Sequence, residues 1–336
     1  MVAARPFPDP VLFLPSPGPN GPSMSDHASP PPLFILAPPS LPGQTLAAAL
    51  GQSPAAYDLP ELNLEQMEGT DQLQRELIGI RGMQMLGLLR AVAQLYGGEQ
   101  TGIAVEMARR WLNARAHLPT AQVARELAAK IAPRRMVTPV TAALFDGRTL
   151  GRLSAIFPDA TWVHLVAHPV TYGEMLLARP EGEATLMITG SVDEEVEPPV
   201  PDPQLLWQEV EGVLAPFLDG LSPDRVIRVD AVRLAQEPQA VLAEVAGAAG
   251  LPTDPQALAA MAHPERSIFA GPGPLGAPLP GQIEPLKALA ARFAPPDAAP
   301  GAPPRVATLV GPLPWRDDGT GLNAGVRARA EALGYG

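Results

Sequence analysis

The stretch FILAPPSLPGQTLAAALG, from Phe34 to Gly51, passes from an apolar segment through a tight loop into an alanine-rich segment. A loop between the end of a buried strand and the start of a helix presents open backbone N–H groups and the positive end of the helix dipole. That is chemistry for holding an anion. The groups on offer here are neutral: Ser40, Gly43, Gln44 and Thr45 can form a small nest of N–H and hydroxyl donors. Pro38, Pro39 and Pro42 carry no N–H and so remove donors from it. No Gly-Lys-Ser/Thr follows, so this is not a Walker A loop, and no Lys or Arg lies between Arg5 and Arg75.

A second candidate sits in ATWVHLVAHP, where His168 precedes the proline that stops a strand. A histidine at such a strand end is more often a turn residue than a catalyst. No catalytic residue stands out. The five histidines show no His-x-x-x-His or Glu-x-x-His spacing, and no metal site is expected. No Gly-x-Ser-x-Gly elbow occurs. The acidic run Val192 to Glu197 reads as a solvated loop, His164 as a packed or solvated strand residue, and Trp111, Trp162, Trp207 and Trp315 as core anchors.

The elements that must position these groups alternate. Residues 33–37, LFILA, are a continuous apolar run bounded by proline, as in a buried parallel strand, and a short helix should follow from Thr45 to Leu50. Helices are predicted over 72–97 and 103–117, and another at TAQVARELAAKIA with Thr120 as its cap and Val123, Leu127 and Ile131 on one face. Strands follow at Met136–Val137, Thr161–Val166 and Val226–Val229. A helix ends near Phe157, and PQAVLAEVAGAAGL is a helix closed at Gly250. This order predicts an α/β domain over 33–336 with a mainly parallel sheet flanked by helices.

The bulk properties narrow the partners. The chain has 336 residues and a formal net charge of −11, which disfavours nucleic acid and anionic membrane surfaces. No apolar run approaches membrane-spanning length, and the N-terminus lacks a secretory pattern. With no cysteine there is no disulfide or thiolate chemistry, and a cytoplasmic location is expected. Proline is the outlier at 43 residues, more than twice the usual share. It crowds the first 42 residues and the stretches 198–203, 272–280 and 295–304; residues 1–32 read as a disordered Pro-rich tail, and Met24 is a plausible alternative start.

Four stretches together resemble the bacterial sulfotransferases. These are FILAPPSLPGQTLAAALG, then GQSPAAYDLPELNL from Gly51, IFPDATWVHLVAHPVTYGEMLL, and MAHPERSIFAGPGP with the ending GPLPWRDDGTGLNAGVRARAEALGYG. The resemblance spans residue 33 to the end and implies a P-loop-NTPase-like α/β fold. It also implies transfer of a sulfuryl group from 3′-phosphoadenosine 5′-phosphosulfate to a hydroxyl or amine of an acceptor that the sequence does not identify.

On that alignment the charged positions are missing. The arginine of the family's 5′-phosphosulfate loop falls on Ser40. The arginine and serine that hold the 3′-phosphate fall on Ala167 and Met175, with no Lys or Arg between Arg152 and Arg179. The glutamate and lysine of the family's Glu-Lys-Ser-Pro stretch fall on Thr138 and Pro139, and its later acidic pair on Val232 and Arg233, with Asp230 nearby. Losing such contacts implies weakened or lost donor binding, at roughly 1.5–3 kcal/mol for each charge-assisted bond. Three readings follow: an accessory or binding protein that retains the fold, an active enzyme whose cations come from elsewhere, with Arg75, Arg81, Arg134 and Arg135 as candidates, or a transferase that uses a less charged donor in the same cleft.

A proline-rich segment without apolar periodicity has nothing to pack with. Deleting residues 1–23 should therefore leave the thermal midpoint unchanged, whereas a drop of several degrees would show that the tail belongs to the fold.

Overall fold

The computed structural model describes residues 29–274, 283–294 and 307–336, so most of the expected tail and the question of Met24 lie outside the described residues. The strands are β1 (Leu33–Leu36), β2 (Ala56–Asp58), β3 (Arg135–Val140), β4 (Thr161–Val166), β5 (Val192–Asp193), β6 (Val200–Pro201) and β7 (Val226–Asp230). The helices of the first half are α1 (Gly43–Gly51), α2 (Thr70–Glu76), α3 (Leu86–Val92), α4 (Gly102–Asn113), α5 (Thr120–Ile131) and α6 (Gly147–Ile156). Those of the second half are α7 (Pro169–Leu177), α8 (Pro180–Thr189), α9 (Pro203–Asp219), α10 (Ala231–Gln236), α11 (Pro238–Ala248), α12 (Pro255–Met261) and α13 (Ala324–Ala332).

Among the described residues β2-β3-β1-β4-β7 form one sheet in that order, and every pairing in it is parallel. β1 is buried at all four positions and β4 at all but Thr161, which explains their unbroken apolar character. The chain leaves β1 toward β2 and later crosses back from β3 to β4, so the sheet reverses direction beside β1. Ligands of open α/β sheets bind outside the carboxyl ends of the strands at such a point.

Local chemistry explains most boundaries. Asp202 caps α9 by accepting from the Gln204 N–H, and Asn323 caps α13 by accepting from the Val326 N–H. Gly250 follows α11 with φ +70°, while the Leu251 N–H reaches back to the Ala246 carbonyl.

Two expectations need correction. The segment 72–97 is not one helix: α2 ends at Glu76, Gly79–Met85 is a 3-10 turn, and α3 runs into a π turn at Ala93–Gly97. The break comes at Gly79, whose φ of +58° no helix accommodates. Thr120 is not the cap of α5. Extended Pro119 is, and the Thr120 hydroxyl donates instead to the Met67 carbonyl at 2.6 Å.

The four tryptophans divide. Trp162 and Trp207 are core, whereas Trp111 stacks half-buried on Tyr96 and Trp315 lies half-buried against Gly173. His164 is neither solvated nor simply packed. It is buried in β4 and shares a hydrogen bond of 2.8 Å with Glu211 of α9, which also takes Arg329 of α13 at 3.0 Å. That chain ties the C-terminal helix to the sheet.

Leu165 is fully buried in β4 between β1 and β7. Leu165→Ala should cost roughly 2–5 kcal/mol in urea unfolding through the cavity it leaves. A loss below about half a kcal/mol would show that the site collapses or is not core.

Candidate functional site

Two carbonyls of the β1–α1 loop bond to distant parts of the protein, and two of its N–H groups are used within the loop. Leu41 N–H bonds to the Pro38 carbonyl at 3.1 Å and Gly43 N–H to the Leu41 carbonyl at 2.8 Å, so both are taken up by the loop's own turns. With Pro38, Pro39 and Pro42 lacking N–H, the groups of Ser40 and Gln44 remain uncommitted. The Pro39 carbonyl accepts from the Tyr172 hydroxyl of α7 at 2.9 Å, and the Ser40 carbonyl from Arg292 at 2.9 Å. Ser40 holds φ +67°, an uncommon left-handed conformation for a residue with a side chain. Gly43 has a packing role, since a Cβ there would lie 2.2 Å from that of Ala37.

Arg292 comes from the 3-10 segment Leu286–Arg292, far along the chain. It also grips Glu284 with two bonds of 2.8 and 2.9 Å, so the one cation touching the loop among the described residues is neutralised. The Glu284 N–H in turn donates to the Thr45 hydroxyl at 3.1 Å.

Beside the loop opens a cleft of about 610 Å³. Ser40, Gly43 and Gln44 line it. Thr45 is buried behind it under Glu284. Its other polar walls are Arg179 and Glu181 at the start of α8, Glu61, and Gln84. The Arg179 guanidinium has no partner among the described residues. Glu61 Oε1 accepts from the N–H groups of Thr141 and Ala142 at 2.5 and 2.8 Å, just beyond β3. Burial pushes its carboxyl above the ordinary range, against the lowering effect of those two donors. Gly87 makes the approach possible, because a Cβ there would meet the Glu61 carbonyl at 2.1 Å.

The four cations proposed from sequence are engaged elsewhere or exposed. Arg75 pairs with Asp71 on the surface, Arg81 is exposed, Arg134 covers the Tyr57 ring, and Arg135 donates to Thr161 and to the Pro31 carbonyl. Arg179 and Arg292 stand at the cleft instead. Neither they nor Glu61 carries a local sequence signal, since only tertiary structure brings them to the loop.

His168 lies outside the cleft lining. Its Nδ1 accepts from the Val170 N–H at 3.2 Å to cap α7, its ring meets Tyr335 edge-on, and its buried Nε2 has no partner. Burial lowers its pKa, which keeps the imidazole neutral. Ala167 and Met175 are both buried, and the Ala167 carbonyl is taken by the Trp207 indole N–H. Thr138 is buried, with its hydroxyl on the Pro60 carbonyl. Arg233 pairs on the surface with Glu244, and Asp230 accepts from Tyr335.

Behind Gln44 a hole of about 10 Å³, room for one water, is lined by Asp58 and Arg90. Asp58 is buried and accepts from the Ser267 hydroxyl at 2.5 Å, which docks the 264–269 segment against β2. Burial raises its pKa to about 6, and the Ser267 bond opposes the rise.

No protein-family model matches the sequence, and no curated protein matches it. Solved structures do resemble it. The sulfotransferase domain from the curacin biosynthetic pathway superposes with a TM-score of 0.68 at 18% identity, over 91% of this chain and 98% of that one. The sulfotransferase domain from the Synechococcus PCC 7002 olefin synthase gives 0.63 at 21% identity, over 93% and 97%. At such identities the likeness shows the fold: this chain has the sulfotransferase fold, with the parallel α/β sheet expected of it.

Asp58 sets a pH dependence. A carboxyl whose pKa is raised by folding binds more protons folded than unfolded, so its contribution to stability falls as pH rises from about 4 to about 6. Asp58→Asn keeps an acceptor for Ser267 and should remove on the order of 1–3 kcal/mol of that loss. The comparison is the urea midpoint at pH 4.5 and 6.5 for both proteins. An unchanged pH difference in the variant would contradict the assignment.

Proposed function

We propose that this protein is a sulfotransferase-fold protein whose donor cleft persists as a ligand cleft with a weakened hold on the polyanionic nucleotide. Sulfuryl transfer from 3′-phosphoadenosine 5′-phosphosulfate to a hydroxyl or amine is the reaction of sulfotransferases. The observation that carries the proposal is the state of the β1–α1 loop: its Pro39 and Ser40 carbonyls are occupied by Tyr172 and Arg292, and Arg292 is itself paired to Glu284. A nucleotide phosphate placed there would meet few N–H donors and no net positive charge. The protein is then a small-molecule binding or accessory protein. Its net charge of −11 argues against nucleic acid as the partner.

A second reading rests on one observation, the unpartnered Arg179 in the same cleft. If Arg179 meets one phosphate and Arg292 exchanges Glu284 for another, the donor binds and sulfuryl transfer is retained.

Releasing Arg292 separates the two readings. Glu284→Gln removes the charge that neutralises it, and Ser40→Arg adds a second cation, whereas Ala167 is too buried to carry one. Each restored arginine–phosphate contact should contribute about 1.5–3 kcal/mol, which is roughly one to two powers of ten in affinity. The double variant should bind 3′-phosphoadenosine 5′-phosphate at least tenfold more tightly than the wild type, and less so as salt rises. Equal affinity of the folded variant and the wild type would refute loss of available charge as the reason for weak binding.

A further inference from the structure

Exposed apolar side chains lie in the wall of this cleft and on the segments that form it, with Met83 in the lining itself. Ile78, Ile80 and Met83 are 66%, 87% and 62% exposed on the segment whose Met83 and Gln84 line it. Met187 and Ile188 are 60% and 82% exposed on α8. Glu181 and Thr185 of that helix line the cleft, and Ile188 follows Thr185 by three residues and Glu181 by seven, so it continues the same helix face, whereas Met187 falls on another. Apolar side chains gathered at the rim of a cleft mark a ligand with an apolar part.

The Glu61 carboxyl in the lining selects the head of that ligand. Glu61 Oε1 is held by two backbone N–H groups, and Oε2 has no partner among the described residues. No described cation pairs with this carboxylate: Arg179 forms no ion pair, and Arg292 belongs to Glu284. Burial raises the pKa of this carboxyl in the absence of a counter-charge, and an ammonium group placed at Oε2 favours its ionised form and pairs with it, which a hydroxyl cannot do.

We infer that the cleft takes an amphiphilic amine, with its ammonium head at Glu61 and its apolar chain running out between Met83 and Ile188. This assignment rests on the reading of the cleft as a ligand cleft with little hold on polyanions, and it names the ligand class of that cleft.

The test is calorimetric titration of the full-length protein, without nucleotide, with decylamine, decanol and decyl sulfate below their aggregation concentrations. Decylamine should bind at least tenfold more tightly than decanol, and decyl sulfate most weakly. Glu61→Gln should abolish the preference for amine over alcohol, and the exposed pair Ile80→Ser with Ile188→Ser should weaken decylamine severalfold. Equal affinity of wild type for amine and alcohol overturns the inference. So does a folded Glu61→Gln that keeps the preference, or a serine double variant that binds decylamine as well as the wild type. Because nucleotide is absent, these outcomes are separate from the nucleotide titrations. Tight nucleotide binding alone would refute weakened donor binding, and failed amine binding alone would refute the ligand class.

Discussion

Everything proposed for this protein depends on which way one short loop faces. Between β1 and α1 the backbone can aim either its N–H groups or its carbonyls outward. Here Tyr172 and Arg292 hold the carbonyls of Pro39 and Ser40. Three prolines remove N–H groups that would compete for the opposite orientation. Gly43 then lets α1 start directly against Ala37. The strand, loop and helix follow one another here, with three prolines that carry no N–H, two N–H groups bonded within the loop and those of Ser40 and Gln44 uncommitted.

The same inversion extends to charge. Arg292 arrives at the loop but already holds Glu284, and a bidentate pair of this kind presents no net charge to a ligand. In the cleft lining Glu61 is fixed by the N–H groups at Thr141 and Ala142, while burial raises the pKa of its carboxyl. On the proposed reading, a cleft with a fixed carboxyl, one open arginine and apolar side chains at its edge suits an amphiphilic amine better than a nucleotide with several phosphates. The sheet behind it does not depend on this chemistry. It is held by the buried β1 and β4, and by the His164–Glu211–Arg329 chain that brings α13 onto the core.

Much of the frame was legible in the sequence, because its causes are local. The apolar run of β1, the strand from Thr161 to Val166, and Gly250 after α11 each follow from patterning or backbone freedom within a few residues. What stayed hidden was set by distant contacts. The break at Gly79 overrode a helical pattern, and Thr120 gave its hydroxyl to a loop more than fifty residues away instead of capping its own helix. Arg292 lies 252 residues from Ser40, and no spacing rule announces that pairing. Glu61 sits in a proline-flanked stretch with no acid–base signature. That the loop itself contains no Lys or Arg is plain from its residues, whereas the approach of Arg179 and Arg292 to the cleft was not readable from any local stretch.

The central claim is that the carbonyl-out, charge-neutral loop cannot hold a nucleotide phosphate firmly. It is tested most directly by calorimetric titration of the unmodified protein with 3′-phosphoadenosine 5′-phosphate at low salt. A dissociation constant of about 1 mM or weaker, some 4 kcal/mol or less of binding free energy, is the predicted result. Saturable binding in the low micromolar range, about 8 kcal/mol, would contradict it and show that Arg179 and a released Arg292 still serve the donor.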